Sequence, residues 1–371
     1  TRIRYADHEV AFTYDRGAYG AGKLTGIRDR SGATTYRYDA HGRIVREEKR
    51  IMGAVYTVDY AYDPSGILTE MTYPSGRTVT FTPDAAGRTR KVVAEINGAS
   101  RTLAEKIAYL PFGPMTGADY GNGIPLAREF DRRYRLSAMD AAGVLDLDYT
   151  YDPAGNAIAD GLNPARSQSF AYDDLYRLVQ AAGGYGQIGY TYDKTGNRLS
   201  KTENGLVDLY AYEPGASRLS EITGATGQTF TYDAVGNTTA IDDRTFTYSQ
   251  NNRLIRAAQD GAVLGEYVYN ALGQRAVKTA DGRTTVFLYD LSGNLIAEAD
   301  AAGRIQSEYA WLNGRLLAAV RNDIRVEADV EIKPETLNLA SHGRWITAFI
   351  ELPEGYDAAD IDRDTVVLNG V

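Results

Sequence analysis

An aromatic-x-Tyr pair that recurs about every twenty residues is the feature that most constrains the fold of this chain. From Tyr151 to Tyr289 the second aromatic advances by 21, 20, 20, 20, 16, 21 and 20 residues. Residues two apart on a strand point to one face of a sheet. So regular a period is typical of a stacked repeat architecture. The pairs are Phe12/Tyr14, Tyr36/Tyr38, Tyr60/Tyr62, Tyr149/Tyr151, Phe170/Tyr172, Tyr190/Tyr192, Tyr210/Tyr212, Phe230/Tyr232, Phe246/Tyr248, Tyr267/Tyr269 and Phe287/Tyr289.

A turn signal follows each pair. In Tyr190–Leu199, Asp193 can accept hydrogen bonds from backbone N–H groups two residues on, and Gly196 can take the positive φ that ends such a turn. Asn204-Gly205 is one of several dipeptides that predict type I′ hairpins. Each unit is therefore predicted to form two strands of roughly six residues and two turns. The repeat-defining residues are Tyr38, Asp39, Gly42, Tyr62, Asp63, Gly66, Tyr151, Asp152, Gly155, Tyr172, Asp173, Tyr192, Asp193, Gly196, Tyr232, Asp233, Gly236, Tyr289, Asp290 and Gly293.

Composition restricts the classes of partner. Lys and Arg number 40 against 49 Asp and Glu, and the net charge of -9 argues against nucleic acid and anionic membranes. There is no cysteine, so disulfides and Cys-ligated metals are excluded, and no apolar run approaches a membrane span. The chain begins at Thr1 without a signal-peptide pattern, and we expect it to be a piece of a larger polypeptide.

The repeat signal weakens in one segment and stops in another. We expect a repeat array over residues 1–325 with an irregular crossing at about 91–130, where Pro111 and Pro114 bracket Phe-Gly and cannot lie in a central strand. Residues 326–371 change character. Alternating apolar and charged residues up to Ile332 predict a strand, and Trp345 to Leu352 predicts a second.

The Tyr-Asp-x-x-Gly-Asn/Arg-x-Leu/Ile unit and three special segments resemble the Rhs/YD-repeat family, which includes bacterial Rhs-type shell proteins and teneurin-like repeats. The three segments are Tyr109–Pro114, Tyr120–Gly123 and Tyr309–Ala318. The resemblance implies an all-β fold in which tandem hairpins form a long spiralling antiparallel sheet, shell-like or barrel-like. Residues 326–371 are similar to a truncated β-sandwich-like module of extracellular proteins.

The resemblance also implies a function: part of a β-shell in a large secreted or cell-surface bacterial protein. In toxin-bearing members the shell encloses a C-terminal toxin, so the expected partner is the rest of the parent polypeptide. Those members also carry a terminating core segment with acidic residues that perform self-cleavage. No such segment follows Asn322 here, so self-cleavage is assigned to no residue. The alternative is an adhesion module that binds cell-surface carbohydrate or protein through its tyrosine rows.

The residues predict no catalytic, cofactor or metal site. The histidines are His8, His41 and His342, which are scattered, and the Asp residues are explained by their place in turns. The Asp360–Asp364 run alternates oxygen ligands but lacks the glycine and glutamate of an EF-hand, which leaves an irregular calcium site or a solvated loop.

An arginine follows many of the turns, and we expect each to pair with a turn Asp of its own or a neighbouring unit. These arginines are Arg43, Arg88, Arg135, Arg177, Arg198, Arg218, Arg253, Arg304 and Arg315.

Overall fold

The computed structural model describes residues 1–96, 98–161, 167–321, 329–333 and 347–351. The chain divides into two compact units, Thr1–Arg321 and Asn322–Val371. Within the described ranges every regular element is a β-strand, and no helix is long and apolar enough to cross a membrane.

The strands of the first unit are short and follow one another closely. The first eleven are β1 (Arg2–Arg4), β2 (Glu9–Tyr14), β3 (Leu24–Asp29), β4 (Gly32–Tyr38), β5 (Ile44–Ile51), β6 (Ala54–Tyr62), β7 (Leu68–Thr72), β8 (Thr78–Pro83), β9 (Thr89–Ile96), β10 (Ala99–Tyr109) and β11 (Met115–Tyr120). The next ten are β12 (Pro125–Phe130), β13 (Leu136–Ala141), β14 (Leu145–Tyr151), β15 (Ala157–Gly161), β16 (Gln168–Tyr172), β17 (Leu178–Gly183), β18 (Gly186–Tyr192), β19 (Arg198–Glu203), β20 (Leu206–Tyr212) and β21 (Leu219–Gly224). The last ten are β22 (Gln228–Tyr232), β23 (Thr238–Ile241), β24 (Arg244–Tyr248), β25 (Leu254–Gln259), β26 (Ala262–Tyr269), β27 (Arg275–Ala280), β28 (Arg283–Tyr289), β29 (Leu295–Asp300), β30 (Ile305–Leu312) and β31 (Arg315–Arg321).

These strands form a single 31-stranded meander in which each strand pairs antiparallel with the next. Among the described residues β1 pairs only with β2 and β31 only with β30, so the two edge strands do not pair with each other and the sheet is not closed. The predicted all-β repeat fold is confirmed. The predicted type I′ hairpins are also present: Asn204 and Gly205 have φ of 50° and 86°.

The expected irregular crossing at about 91–130 is wrong. Strands β9 to β12 continue the meander through it, with a bulge in β10 where Lys106 has φ of 51°. The prolines lie in the turn between β10 and β11, where no ladder donor is lost. That turn is closed by Leu110 N–H donating to Pro114 O at 3.1 Å.

The hydrophobic core lies where the end of the sheet packs on its beginning. One cluster of buried residues draws from β5–β12 and from β27–β30, including Val58, Val92, Leu288 and Ile296. Hydrogen bonds join residues 231 to 242 positions apart, such as Lys49 Nζ to Tyr289 O at 2.7 Å. We call this region the overlap: β3–β12 on one side and β26–β31 on the other.

The middle of the sheet, β13–β24, is built differently. Among its described residues only Ala181, Asp208 and Ile222 are buried. Strands such as β16 alternate half-buried aromatic residues with exposed Ala and Ser. Among the described residues, the apolar side chains of the sheet are therefore extensively buried at the overlap and few are buried in its middle.

In the second unit, β32 (Asp329–Lys333) pairs antiparallel with β33 (Thr347–Glu351). These strands fall in the two segments where the sequence predicts strands. His342 and the Asp360–Asp364 run lie outside the described residues. The domain limits 1–325 and 326–371 and the β-sandwich-like nature of the second segment stay predictions.

Candidate functional site

The Asp turn is the repeated polar site of the molecule. It is a five-residue turn in which N–H of residue i donates to C=O of residue i+4, and N–H of residue i+3 donates to C=O of residue i. In the turn at Asp193 these distances are 2.9 and 3.3 Å, to Asn197 O and from Gly196 N. The carboxylate accepts from the N–H groups of Thr195 and Asn197, each at 2.8 Å, and from Asn197 Nδ2 at 2.9 Å.

These contacts set the charge of the carboxyl group. Burial alone would raise the pKa of Asp193, but the hydrogen bonds from Thr195 and Asn197 outweigh it and lower the pKa to about 2. The carboxylate is thus ionised and fully engaged as a hydrogen-bond acceptor for its own turn.

The tyrosine before each turn ties two strands together. Tyr192, at the end of β18, donates its hydroxyl to the carbonyl of Leu178, the first residue of β17, at 2.8 Å. Tyr62 makes the equivalent bond to Ile44 O at 3.0 Å, and in β30 Trp311 Nε1 donates to Leu295 O at 2.7 Å. The same bond is made by Tyr38, Tyr109, Tyr151, Tyr172, Tyr212, Tyr232 and Tyr289.

Arginine at the fifth position of an Asp turn completes the link. Arg177 Nε lies 2.7 Å from Asp173 Oδ2, its guanidinium is centred 4.9 Å from the Tyr192 ring, and NH1 donates to Asp193 O at 2.8 Å. The expected own-turn pairing is present for Arg43, Arg88, Arg135, Arg177 and Arg304, and Arg218 lies 3.6 Å from Glu213.

Arg198 departs from that expectation because Asn197 occupies the fifth position of its turn. Its guanidinium instead stacks on the rings of Tyr190 and Tyr210, at 4.9 and 5.2 Å. Its charge therefore contacts aromatic faces.

The repeat-defining residues do not converge on one point. The structure places each Tyr, Asp and Gly trio in its own turn, and Gly42, Gly66, Gly155, Gly196, Gly236 and Gly293 have the positive φ that the turn requires. In the turn at Asp173 the equivalent position is Tyr176, with φ of 60°. The arrangement holds backbone together and presents no shared reaction centre.

Sequence reasoning missed a polar cluster buried at the overlap. Lys49 Nζ lies 2.5 Å from Glu47 Oε2, and Glu47 is opposite Tyr36 on the neighbouring strand. Burial lowers the pKa of Lys49 more than Glu47 raises it, and burial together with the Glu47 charge raises the pKa of Tyr36. The signal in the sequence was a charged pair, Glu47 and Lys49, on the tyrosine side of β5.

A second missed cluster joins Glu308 of β30 to the turn between β7 and β8. Glu308 Oε1 accepts from Ser75 N–H at 3.1 Å, and its Oε2 accepts from Ser75 Oγ at 2.8 Å and from Arg77 NH1. Tyr73 of the same turn donates its hydroxyl to Tyr309 O at 3.0 Å. Both clusters connect parts of the sheet that are distant in sequence.

The histidines offer little chemistry. His8 stacks on Tyr5 with centroids 4.4 Å apart and lies 2.6 Å from Asp7, and its ring borders a cavity of about 50 Å³, room for a water or two. His41 lies in the Asp39 turn, where its N–H donates to the carboxylate. In the part of the chain that the structure describes, no group of three His, Asp or Glu could hold a metal.

Sequence comparisons match both halves of the array. The profile of the Teneurin YD-shell matches residues 139–297, and that of the RHS repeat matches residues 19–49 and 56–100. The chain is 30% identical to the tRNA3(Ser)-specific nuclease WapA of Bacillus spizizenii over 41% of this chain and 7% of that protein. It is 23% identical to the probable deoxyribonuclease RhsB of Dickeya dadantii over 51% of this chain and 15% of that protein.

A solved structure of similar fold is the Tc holotoxin pore of Photorhabdus luminescens. It matches with a TM-score of 0.64 at 16% identity, over 84% of this chain and 21% of that chain. The TcdB2-TccC3 complex matches with a TM-score of 0.54 at 15% identity. This chain therefore corresponds to a minor part of each of these larger proteins.

Proposed function

The chain belongs to the Rhs/YD-repeat family, and from that premise we propose that it is part of the wall of a β-shell in a large secreted or cell-surface bacterial protein. The wall encloses or displays an effector domain that lies outside these residues, and it has no catalytic role of its own. The observation that carries the proposal is the overlap, where the end of one continuous sheet packs on its beginning.

The use of the polar side chains supports a structural role. The turn carboxylates accept hydrogen bonds from their own backbone, and the tyrosine hydroxyls bond to the neighbouring strand. A general acid, base or nucleophile needs a polar atom directed at a substrate. The nuclease activities in the relatives' names belong to those proteins, of which this chain spans 7% and 15%.

The alternative is an adhesion module that binds carbohydrate or protein at the cell surface. Sugar recognition by tyrosine requires an uncovered ring face. Arginine stacks on the ring of Tyr62, Tyr109, Tyr151 and Tyr192 at 4.3 to 4.9 Å. Arginine already covers a face of each of those rings, which favours the structural role in the wall over sugar binding.

Limited proteolysis of the complete polypeptide that contains residues 1–371 tests the proposal. We expect a segment outside these residues to survive a protease concentration that digests the same segment produced alone. The separately produced segment is the matched control, because it reports the segment's intrinsic resistance. Equal digestion of the enclosed and the free segment would refute enclosure. Glycan-array binding lost on changing Tyr190 to Ala, in a folded protein, would favour the adhesion module instead.

A further inference from the structure

The turn from Tyr73 to Arg77 has the backbone of an Asp turn without its aspartate. Tyr73 N–H donates to Arg77 O and Gly76 N–H donates to Tyr73 O, both at 2.8 Å. At Asp193 the same closure is accompanied by a carboxylate that accepts from the third and fifth residues of the turn. Tyr73 has no carboxylate to offer, so this turn needs an acceptor from elsewhere.

Glu308 supplies the missing carboxylate from a strand 231 residues beyond Arg77. Its Oε1 accepts from Ser75 N–H, the third residue of the turn, as Asp193 does from Thr195. Its Oε2 accepts from the Arg77 guanidinium, as Asp173 does from Arg177.

Ser75 makes the remaining contact that a turn aspartate would make. The remaining donor of the turn, Arg77 N–H, is accepted at 3.2 Å by Ser75 Oγ, which itself donates to Glu308 at 2.8 Å. Ser75 Oγ thus relays the backbone contact that an aspartate would make directly. Both backbone donors that the carboxylate of an Asp turn satisfies, here Ser75 N–H and Arg77 N–H, are thus satisfied with the help of Glu308.

Both charges are buried. Glu308 is 1% exposed, and the Arg77 side chain is 9% exposed. A buried carboxylate is strongly destabilising unless it is paired and hydrogen-bonded. Glu308 is therefore stabilised in its buried position by a turn that lacks an acid of its own and carries an arginine at its fifth position.

We propose that the Tyr73–Arg77 turn is a carboxylate-binding site, that Glu308 is its ligand, and that this pairing fixes the register in which β30 lies on the first strands of the sheet. Repeats about twenty residues apart present similar aromatic faces, so apolar packing discriminates poorly between registers displaced by one repeat. A displaced register would leave the Glu308 carboxylate buried without its donors. This inference goes beyond the proposed wall function and does not rest on it.

The full chain has no cysteine, so a single introduced thiol can report opening of the overlap. Ala297 of β29 is 0% exposed and lies in the overlap, whereas Ala181 of β17 is 6% exposed and lies in the middle of the sheet. We would place Ala297→Cys or Ala181→Cys in the chain and measure the rate of reaction with a maleimide under native conditions. Each reporter is combined with Glu308→Gln.

We expect Glu308→Gln to raise the labelling rate at position 297 at least about tenfold and to change the rate at 181 less than about twofold. The matched control is Asp173→Asn, which removes the carboxylate of a self-sufficient turn outside the overlap and should leave the rate at 297 unchanged. Equal rises at both reporters would show that Glu308 contributes to stability in general. No rise at 297 would show that Glu308 does not hold the overlap together. Either result overturns the proposal.

If the Glu308→Gln protein does not fold, Ser75→Ala is a less disruptive test of the same site. It removes the hydroxyl relay but keeps the carboxylate and Arg77 in place. We expect the labelling rate at 297 to rise about threefold, in line with the loss of one neutral hydrogen bond, with no rise at 181. An unchanged rate at 297 would again count against the site. The readout requires no enclosed effector, so its failure is separate from failure of the wall function.

Discussion

The hydroxyl of Tyr192 donates a hydrogen bond of 2.8 Å to the backbone carbonyl of Leu178, the first residue of the preceding strand. Leu178 directly follows the Asp173 turn, and Tyr192 directly precedes the Asp193 turn. One phenol thus spans two consecutive turns at the same end of the sheet. Because the bond recurs from Tyr38 to Tyr289, it is a general connection between repeats.

Replacing Tyr192 by Phe keeps the ring and removes only this bond. We expect the free energy of unfolding to fall by about 1 kcal/mol, because the Leu178 carbonyl loses its partner while packing is preserved. Urea unfolding curves would measure the change. Tyr19→Phe, at a side chain that is 60% exposed, is the matched control and should differ little from the parent chain. Equal effects of the two substitutions would mean that the bond contributes nothing.

Arg177→Lys tests whether the guanidinium shape matters beyond its charge. Lysine keeps the positive charge beside Asp173, but it cannot also stack on Tyr192 and donate to Asp193 O. We expect a loss of about 1 kcal/mol in the free energy of unfolding. Arg132→Lys, at an exposed position of another turn, is the control. Full stability of Arg177→Lys would show that charge alone is sufficient.

Acid should weaken the Asp193 turn in a defined range of pH. The pKa of Asp193 is lowered in the folded chain from 3.8 to about 2, so the folded state binds fewer protons than the unfolded state in that range. Its stabilising contribution is therefore present above about pH 4 and is lost as the pH falls towards about 2. Asp193→Asn should be less stable than the parent chain at pH 7 and should approach it near pH 2. A difference that stays constant from pH 7 to pH 2 would contradict this assignment.

Alkali should weaken the overlap. Burial raises the pKa of Tyr36, Tyr60 and Tyr73 above the ordinary value of 10.0, so these phenols hold protons in the folded state that the unfolded state releases. Their contribution is present below about pH 10 and is lost as the pH rises beyond it. Tyr60→Phe should make the decline shallower by about 1.4 kcal/mol per pH unit.

Unfolding curves from pH 9 upward would measure that slope, with Tyr19→Phe as the control. Lys49, whose pKa is lowered by burial, acts in the opposite sense. Because both variants retain Lys49, its effect cancels in the comparison. Equal slopes for Tyr60→Phe and Tyr19→Phe would show that Tyr60 does not hold its proton.

The features of the fold that depend on short-range contacts could be predicted from the sequence. The strand length, the Asp193 turn and the hairpin at Asn204 each depend on groups within about five residues, and all are present. The prediction erred between residues 91 and 130 because Pro111 and Pro114 occupy turn positions that also tolerate proline. It erred at Arg198 because one position of offset moves the side chain away from the turn carboxylate.

The overlap could not be predicted from the sequence. Which strand meets β7 depends on the small twist and curvature that every intervening strand adds. An error in any of more than twenty hairpins would shift the partner of Ser75 away from Glu308. The available clue was local: a turn of the right length with Tyr73 in place of its acid.

The separation of Arg77 from Glu308 also has a consequence for biosynthesis. At about 5–20 residues per second, a ribosome needs roughly 10 to 50 s to make the 231 residues between them. Hairpins such as β7–β8 form within microseconds of emerging, so most of the sheet is assembled while its first face still lacks a cover. During that interval the apolar side chains of β5–β9 are exposed to chaperones and to neighbouring nascent chains. The final strands therefore end a period of vulnerability to aggregation as well as completing the fold.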